Sequence, residues 1–306
     1  MSDEHRLAWR ERRKTLEQRY REHGRRTTFG GERRVESLPD LIRPLPMIMR
    51  LIGLEAKARR NAGGVRLTRL EFSFPDLPPA FDGYTILFLS DIHVGSVPQG
   101  IETAAAMAAG VPCDLALLGG DFQLFGKPSA DMTANQMAPL LAAIKARDGV
   151  AAVLGNHDGY RMVEALEALG VRVLVNEVLG VSRGNETMSI VGCDDIHNFH
   201  TPAADAALKL TDGFRIALIH SPEFAGHAAA AGCSLYLAGH THGGQICLPG
   251  GIPLFTATDG CRRLSRGTWR HAGMQGYTST GLGAGHPPYR FNCPPEMALI
   301  TLRRTP

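Results

Sequence analysis

Five short apolar runs in this chain each end in polar, metal-capable residues. Tyr84 to Leu89 leads into Asp91-Ile92-His93, Leu115 to Leu118 into Gly120-Asp121, and Val150 to Leu154 into Gly155-Asn156-His157-Asp158. Ile216 to Ile219 leads into His220, and Leu235 to Ala238 into Gly239-His240-Thr241-His242. Short apolar runs closed by such residues read as buried strands. In open α/β sheets ligands gather at the carboxyl ends of strands, so five clusters in that position predict one shared crevice.

Local spacing points the same way. On extended backbone the side chains of i and i+2 share a face, which predicts Asp91 beside His93 and His240 beside His242, with Ile92 and Thr241 turned away. Glycines ahead of Asp121, Asn156 and His240 permit turns and close approaches that a Cβ would obstruct. Singly, each residue has a plainer use: Asp91 can cap a helix, Asn156 can occupy a turn, and an isolated His220 can be a satisfied core residue. The ordered set outweighs those uses.

In that order the clusters resemble the motif set of the calcineurin-like metallophosphoesterases, over Tyr84 to Leu302. The GHTHGGQ run from Gly239 to Gln245, with Gly281-Leu282-Gly283 and the segment Arg290 to Glu296, is similar to the bacterial phosphodiesterase branch of that superfamily. The resemblance implies a dinuclear metal-dependent phosphoric ester hydrolase. Asp91, His93 and His242 would hold one ion, Asn156, His220 and His240 the other, and Asp121 would bridge both. It further implies that His157 lies near the scissile phosphate, stabilising the transition state or protonating the leaving oxygen, and that Asp158 orients its imidazole.

Oxygen and imidazole ligands without thiolates suit two divalent or trivalent ions of Mn, Fe, Zn or Co, Mn being preferred, over all-oxygen Ca or Mg sites. Two ions about 3.5 to 4 Å apart make a metal-bridging hydroxide the expected nucleophile. The expected reaction is hydrolysis of phosphodiester or pyrophosphate bonds in a phosphorylated small molecule or lipid, such as the lipid- and nucleotide-linked UDP-diacylglucosamine. The alternative is a catalytically silent metal-binding scaffold or regulator with the same fold. The chain departs from the family pattern after Asp121, where Phe122-Gln123-Leu124-Phe125 carries no second acid.

Further strands are expected near Val171–Val175, Met188–Gly192, Tyr277–Thr280 and Met297–Leu302, and helices at Ile101–Ala109, Ala134–Ala146, Arg161–Leu169 and Pro222–Ala231. The alternation predicts an α/β protein, and the resemblance sharpens it to a four-layer sandwich of two mixed β-sheets flanked by helices.

The net charge of +3 hides an asymmetry. Residues 1–70, read as a basic N-terminal extension, carry 18 basic against 9 acidic side chains, whereas 71–306, read as the catalytic domain, carry 15 against 21. From Asp3 to Arg34 the charges are mixed throughout, which reads as a solvated helical tail. Then Leu41, Ile42, Leu45, Met47, Ile48, Met49, Leu51, Ile52 and Leu54 precede Lys57, Arg59 and Arg60, with Pro39, Pro44 and Pro46 near the start and Arg43 and Arg50 interrupting. This predicts a short amphipathic helix over Met47–Arg60. It is shorter than the roughly 20 residues that span a bilayer, and suits either contact with an anionic membrane surface or packing on the enzyme or on a second subunit.

Aromatic residues are sparse in the extension, so nucleic acid is the least favoured partner. A charged start without an apolar core reads as no signal peptide and a cytoplasmic, membrane-associated protein without a transmembrane helix. Six cysteines without Cys-x-x-Cys spacing read as free thiols. The loop from Gly192 to His200 is expected either to border the cleft or to cap a helix. Arg290 is expected either to contact phosphate or to form a structural ion pair.

Overall fold

The computed structural model describes residues 3–34, 44–256, 258 and 260–305, so Pro39, Leu41, Ile42 and Arg43 of the expected apolar segment lie outside the described residues. The chain opens with helix α1 (Asp3–His23) and a hairpin of β1 (Arg25–Thr28) and β2 (Gly31–Arg34), followed by short helices α2 (Leu45–Leu51) and α3 (Glu55–Ala62). One six-stranded sheet then takes β3 (Arg66–Phe74), β4 (Thr85–Leu89), β5 (Leu115–Leu118), β6 (Val150–Ala152) and β7 (Val171–Val173). The other takes β8 (Glu177–Arg183), β9 (Glu186–Gly192), β10 (Arg215–Leu218), β11 (Leu235–Ala238), β12 (Gly267–His271) and β13 (Met274–Thr278). The last strand, β14 (Glu296–Arg304), returns to the first sheet between β3 and β4.

Both sheets are mixed. In the first, the order is β3-β14-β4-β5-β6-β7, with only the β14–β4 pair antiparallel. In the second, the order is β12-β13-β11-β10-β9-β8, parallel in its centre and antiparallel at both edges. The central strands β5, β10 and β11 are buried at every residue, as parallel strands covered on both faces must be.

The sheets pack face to face through Phe88, Leu117 and Ala151 on one side and Ile190, Ile216 and Leu237 on the other. Helices α4 (Pro98–Ala109), α5 (Ala130–Ala143) and α6 (Met162–Glu167) cover the outer face of the first sheet, and α7 (Pro202–Ala207) and α8 (Ala225–Ala230) that of the second. The result is the expected four-layer sandwich. Element ends shift as caps dictate: α5 starts four residues before its expected Ala134 because Ser129 Oγ accepts the Met132 N–H.

The extension departs from its sequence reading. Its α1 is not a solvated tail, because Arg13 is fully buried between Asp194 and Glu17 and Trp9 Nε1 donates to Asp194 Oδ2 at 2.7 Å. The expected helix over Met47–Arg60 is broken in two at Gly53, whose φ of 70° ends α2. A boundary at residue 70 falls inside β3, which runs in register along all of β14 from Arg66.

Candidate metal centre

The strand-end clusters converge, but not by strand alternation. Asp91, His93, Asp121, His240 and His242 have φ between 41° and 70°, so tight left-handed turns aim their side chains. Ile92 still turns into the helix-side core, and Thr241 Oγ1 donates to the Ser265 carbonyl at 2.6 Å. The glycines act as expected. A Cβ at Gly120 would lie 2.6 Å from Gly155 N, one at Gly155 2.1 Å from Asp121 Oδ1, and one at Gly239 1.9 Å from Ser90 Oγ.

Among the described residues three groups of donors result, one of them His197, Glu223 and His240, and the other two carry the expected ligands. Asp91, His93 and His242 form one, with His93 Nε2 3.1 Å from His242 Nε2 and His242 Nε2 3.6 Å from Asp91 Oδ1. Asp121, His220 and His240 form the other, with Asn156 Oδ1 2.7 Å from His240 Nδ1. Asp121 Oδ2 lies between them, 3.1 Å from His220 Nε2, 3.7 Å from His93 Nε2 and 4.0 Å from His157 Nε2. The side chains of the seven residues expected as ligands thus lie in these two groups, with Asp121 Oδ2 within 3.7 Å of a histidine of each.

The donor chemistry fits cations. His93 and His220 each donate Nδ1–H to a backbone carbonyl, of Gln123 and Gly119 respectively, both at 2.7 Å. That leaves Nε2 of each aimed inward, the tautomer that metal-binding histidines need. His220 Nε2 is buried and makes no well-aligned hydrogen bond among the described residues, although Asp121 Oδ2 is 3.1 Å away. Burial pushes the pKa of His93 down and that of His242 well down, keeping both neutral. Burial also pushes Asp91 up, to about 6.

Asp121 behaves differently. Burial opposes its charge, yet the imidazoles of His220 and His157 hold its carboxyl well below the usual range. Burial opposes a charge on His220 too, and Asp121 outweighs it, raising His220 to about 10.

His157 reaches the same carboxylate from the open side. Its Nδ1 accepts the Phe125 N–H at 3.3 Å, and burial pushes its pKa down to about 4. Asp158 does not orient that ring. Its carboxylate accepts the backbone N–H groups of Asp121, Phe122, Gln123 and Gly155 at 2.8 to 2.9 Å, tying two ligand-bearing loops together. Arg290 forms no ion pair among the described residues. It is fully buried and donates to the carbonyls of Thr280 at 2.7 Å and Gly283 at 3.0 Å, bracing the turn behind Asp91. Cys113, Cys193, Cys233, Cys247 and Cys293 are free thiols.

His197 carries a role the sequence did not assign. Its ring lies 4.3 Å from that of His240, its Nδ1 is 2.6 Å from Glu223 Oε2, and Arg26 bonds its Nε2. Both of its nitrogens are thus engaged. Asp194 and Asp195 of the same loop are buried in structural roles, Asp194 on Arg13 and Asp195 accepting the N–H groups of His197 and Asn198. The spacing Gly180-Val181-Ser182-Arg183-Gly184 matches a serine nucleophile elbow, but Ser182 lies on β8 leading into a hairpin, with its hydroxyl 3.2 Å from that of Thr187.

Comparison with known proteins agrees with this geometry. Residues 84–244 match the family model described as calcineurin-like phosphoesterase. Phosphodiesterase YaeI of Escherichia coli K12 is 31% identical over 234 residues, covering 72% of this chain and 82% of that protein. The uncharacterized metallophosphoesterase YkuE of Bacillus subtilis 168 is 29% identical over 239 residues, covering 75% and 82%. The solved structure of TT1561 from Thermus thermophilus superposes at a TM-score of 0.45 with 14% identity, covering 65% of this chain and 90% of that one.

Proposed function

Because the chain belongs to the calcineurin-like phosphoesterase family, we propose that it hydrolyses phosphodiester or pyrophosphate bonds at a centre holding two ions. One observation carries this reading: Asp121 Oδ2 sits between two separate donor groups, within 3.1 Å of His220 and 3.7 Å of His93. Asp91, His93 and His242 would hold one ion, Asn156, His220 and His240 the other, and Asp121 both. Such a pair, when bound, supplies positive charge to the phosphoryl oxygens and lowers the pKa of a bound water. The donor set suits Mn, Fe, Zn or Co, with Mn our preference.

The chain's own contribution is orientation. Asp158 fixes the loops that carry Asp121 and Asn156. His157 is neutral at neutral pH and accepts at Nδ1, so it carries its proton on Nε2 and donates a hydrogen bond to charge developing on phosphate. That favours transition-state stabilisation over full proton delivery. A His157 so aimed argues against the silent scaffold.

We extend the proposal to an anionic membrane surface and a lipid-linked substrate. Met47, Ile48, Leu51 and Ile52 of α2 and its end are exposed beside Arg50, while Met49 holds the helix on Tyr289. Ile246 packs in the same cluster and leads to exposed Leu248, Ile252 and Leu254. Among the described residues no helix is long and apolar enough to cross a membrane.

The test is metal content by elemental analysis together with hydrolysis of bis-p-nitrophenyl phosphate. We expect about two ions per chain, and at least about a hundredfold loss of turnover in Asp121→Asn. Turnover unaffected by that substitution would overturn the reading.

A further inference from the structure

The segment from Gly155 to Tyr160 carries the proposed ligand Asn156 and the phosphate-side histidine, His157. Carboxylates hold part of it: Asp158 accepts the Gly155 N–H, and Asp121 Oδ1 accepts the His157 N–H, both at 2.8 Å. Three further backbone groups of the segment are met by α1. These are the carbonyls of Gly155 and Asp158 and the N–H of Tyr160.

Arg13 makes most of that contact. Its side chain is fully buried, and Nη2 donates to the Asp158 carbonyl at 2.9 Å and, more weakly, to that of Gly155 at 3.4 Å. Its Nη1 bonds Asp194, and its Nε donates to Glu17 Oε1 at 3.1 Å. The same Glu17 oxygen accepts the Tyr160 N–H at 2.7 Å. A planar fork of five donors can serve two carboxylates and two carbonyls at once, whereas a lysine ammonium is a point charge on a flexible stem. Buried backbone groups left unmatched cost free energy, so displacing the fork obliges the segment to shift toward other partners. Arg6, nearer the start of α1, docks the helix on Glu167, Glu177 and the Val173 carbonyl and makes no bond to residues 155–160. Arg13 and Glu17 lie outside residues 84–244, the part that the family model matches, so this support comes from the extension.

We propose that α1 is a working part of the centre: Arg13 and Glu17 are positioning residues that hold the Gly155–Tyr160 segment so that Asn156 meets its ion and His157 the phosphate. They act through the backbone of the segment rather than on the reacting atoms. The proposal rests on the two-ion phosphoesterase reading and adds two residues to its machinery.

The experiment is calorimetric titration of the full chain with manganese for the wild type, Arg13→Lys, Glu17→Ala, Glu17→Gln and Arg6→Ala, with kcat and KM for bis-p-nitrophenyl phosphate and thermal melts on the same samples. We expect Arg13→Lys and Glu17→Ala to weaken one of the two manganese ions about tenfold and spare the other, and to lower kcat about tenfold with KM within about twofold. Glu17→Gln, which keeps an acceptor for the Tyr160 N–H and leaves Arg13 on Asp194, should restore both readouts to within about threefold. Arg6→Ala loosens the helix elsewhere and should keep both ions and the wild-type kcat. Both ions held as tightly as in the wild type by Arg13→Lys and Glu17→Ala, or an equal loss in Arg6→Ala, overturns the proposal and leaves α1 a dock alone. A wild type that binds two ions without hydrolysing the diester counts against the phosphoesterase reading instead, and the manganese titrations still decide the positioning role.

Discussion

The two halves of the basic extension meet the enzyme body by different physics. Helix α1 is fastened by charge: Arg13 is buried on Asp194, and Arg6 bonds Glu177 at 2.7 Å and Glu167 at 2.5 Å. Helix α2 is fastened by apolar contact, through Met49 on Tyr289 with Leu45 and Leu54 alongside, and leaves Leu51 77% exposed. The contrast teaches that a run of mixed charge is not by itself a solvated face. What decides is whether acids distant in sequence are placed to receive the arginines, here 181 residues away for Arg13 and Asp194.

Breaking the first half should cost most. Arg13→Ala leaves Asp194 buried without its cation and should loosen α1 by about 3 to 5 kcal/mol, read as new protease cleavage within residues 3–34. Cleavage no faster than in the wild type would place the anchor elsewhere. The half-buried pair Arg183–Asp148, which joins the two sheets, sharpens the comparison with a smaller effect.

Burial opposes the charge of Asp148, but hydrogen bonds from Arg183 and Tyr84 outweigh it and lower its pKa. A depressed carboxyl contributes stability that is present above its unfolded pKa, about 3.9, and is lost as pH falls through the folded value. Asp148→Asn should therefore cost about 1 kcal/mol at pH 7 and progressively less below pH 4, by thermal melts at each pH. A gap that widens on acidification would contradict this. Smallest in stability is Leu51→Glu, expected to change the melting free energy by less than about 0.5 kcal/mol yet to lower cosedimentation with vesicles containing phosphatidylserine severalfold. Unchanged vesicle binding would mean that α2 is no lipid contact.

The centre was legible because its chemistry sits in short local motifs at strand ends, which the parallel order of β4, β5, β6, β10 and β11 brings together. The turns were less so. Side-chain alternation places Asp91 with His93, whereas left-handed backbone does so in the structure, and five residues in that region are not deducible from spacing. The family pattern implies that Asp158 orients His157, but its four backbone N–H partners come from loops that only the fold apposes. The docking of α1 was hidden for the same reason, since Asp194, Glu167 and Glu177 carry no mark in sequence of the arginines they receive. In sequence His197 belongs to a loop that either borders the cleft or caps a helix, and its closeness to His240 arises from the apposition of β9 and β11 either side of β10.

The most direct measurement is anomalous diffraction from crystals of the manganese-loaded protein. Two peaks about 3.5 to 4 Å apart, flanking Asp121 Oδ2 with one beside Asp91, His93 and His242 and the other beside Asn156, His220 and His240, are the predicted result. A single peak, or one held by His197 and Glu223 instead, would contradict the account of the centre.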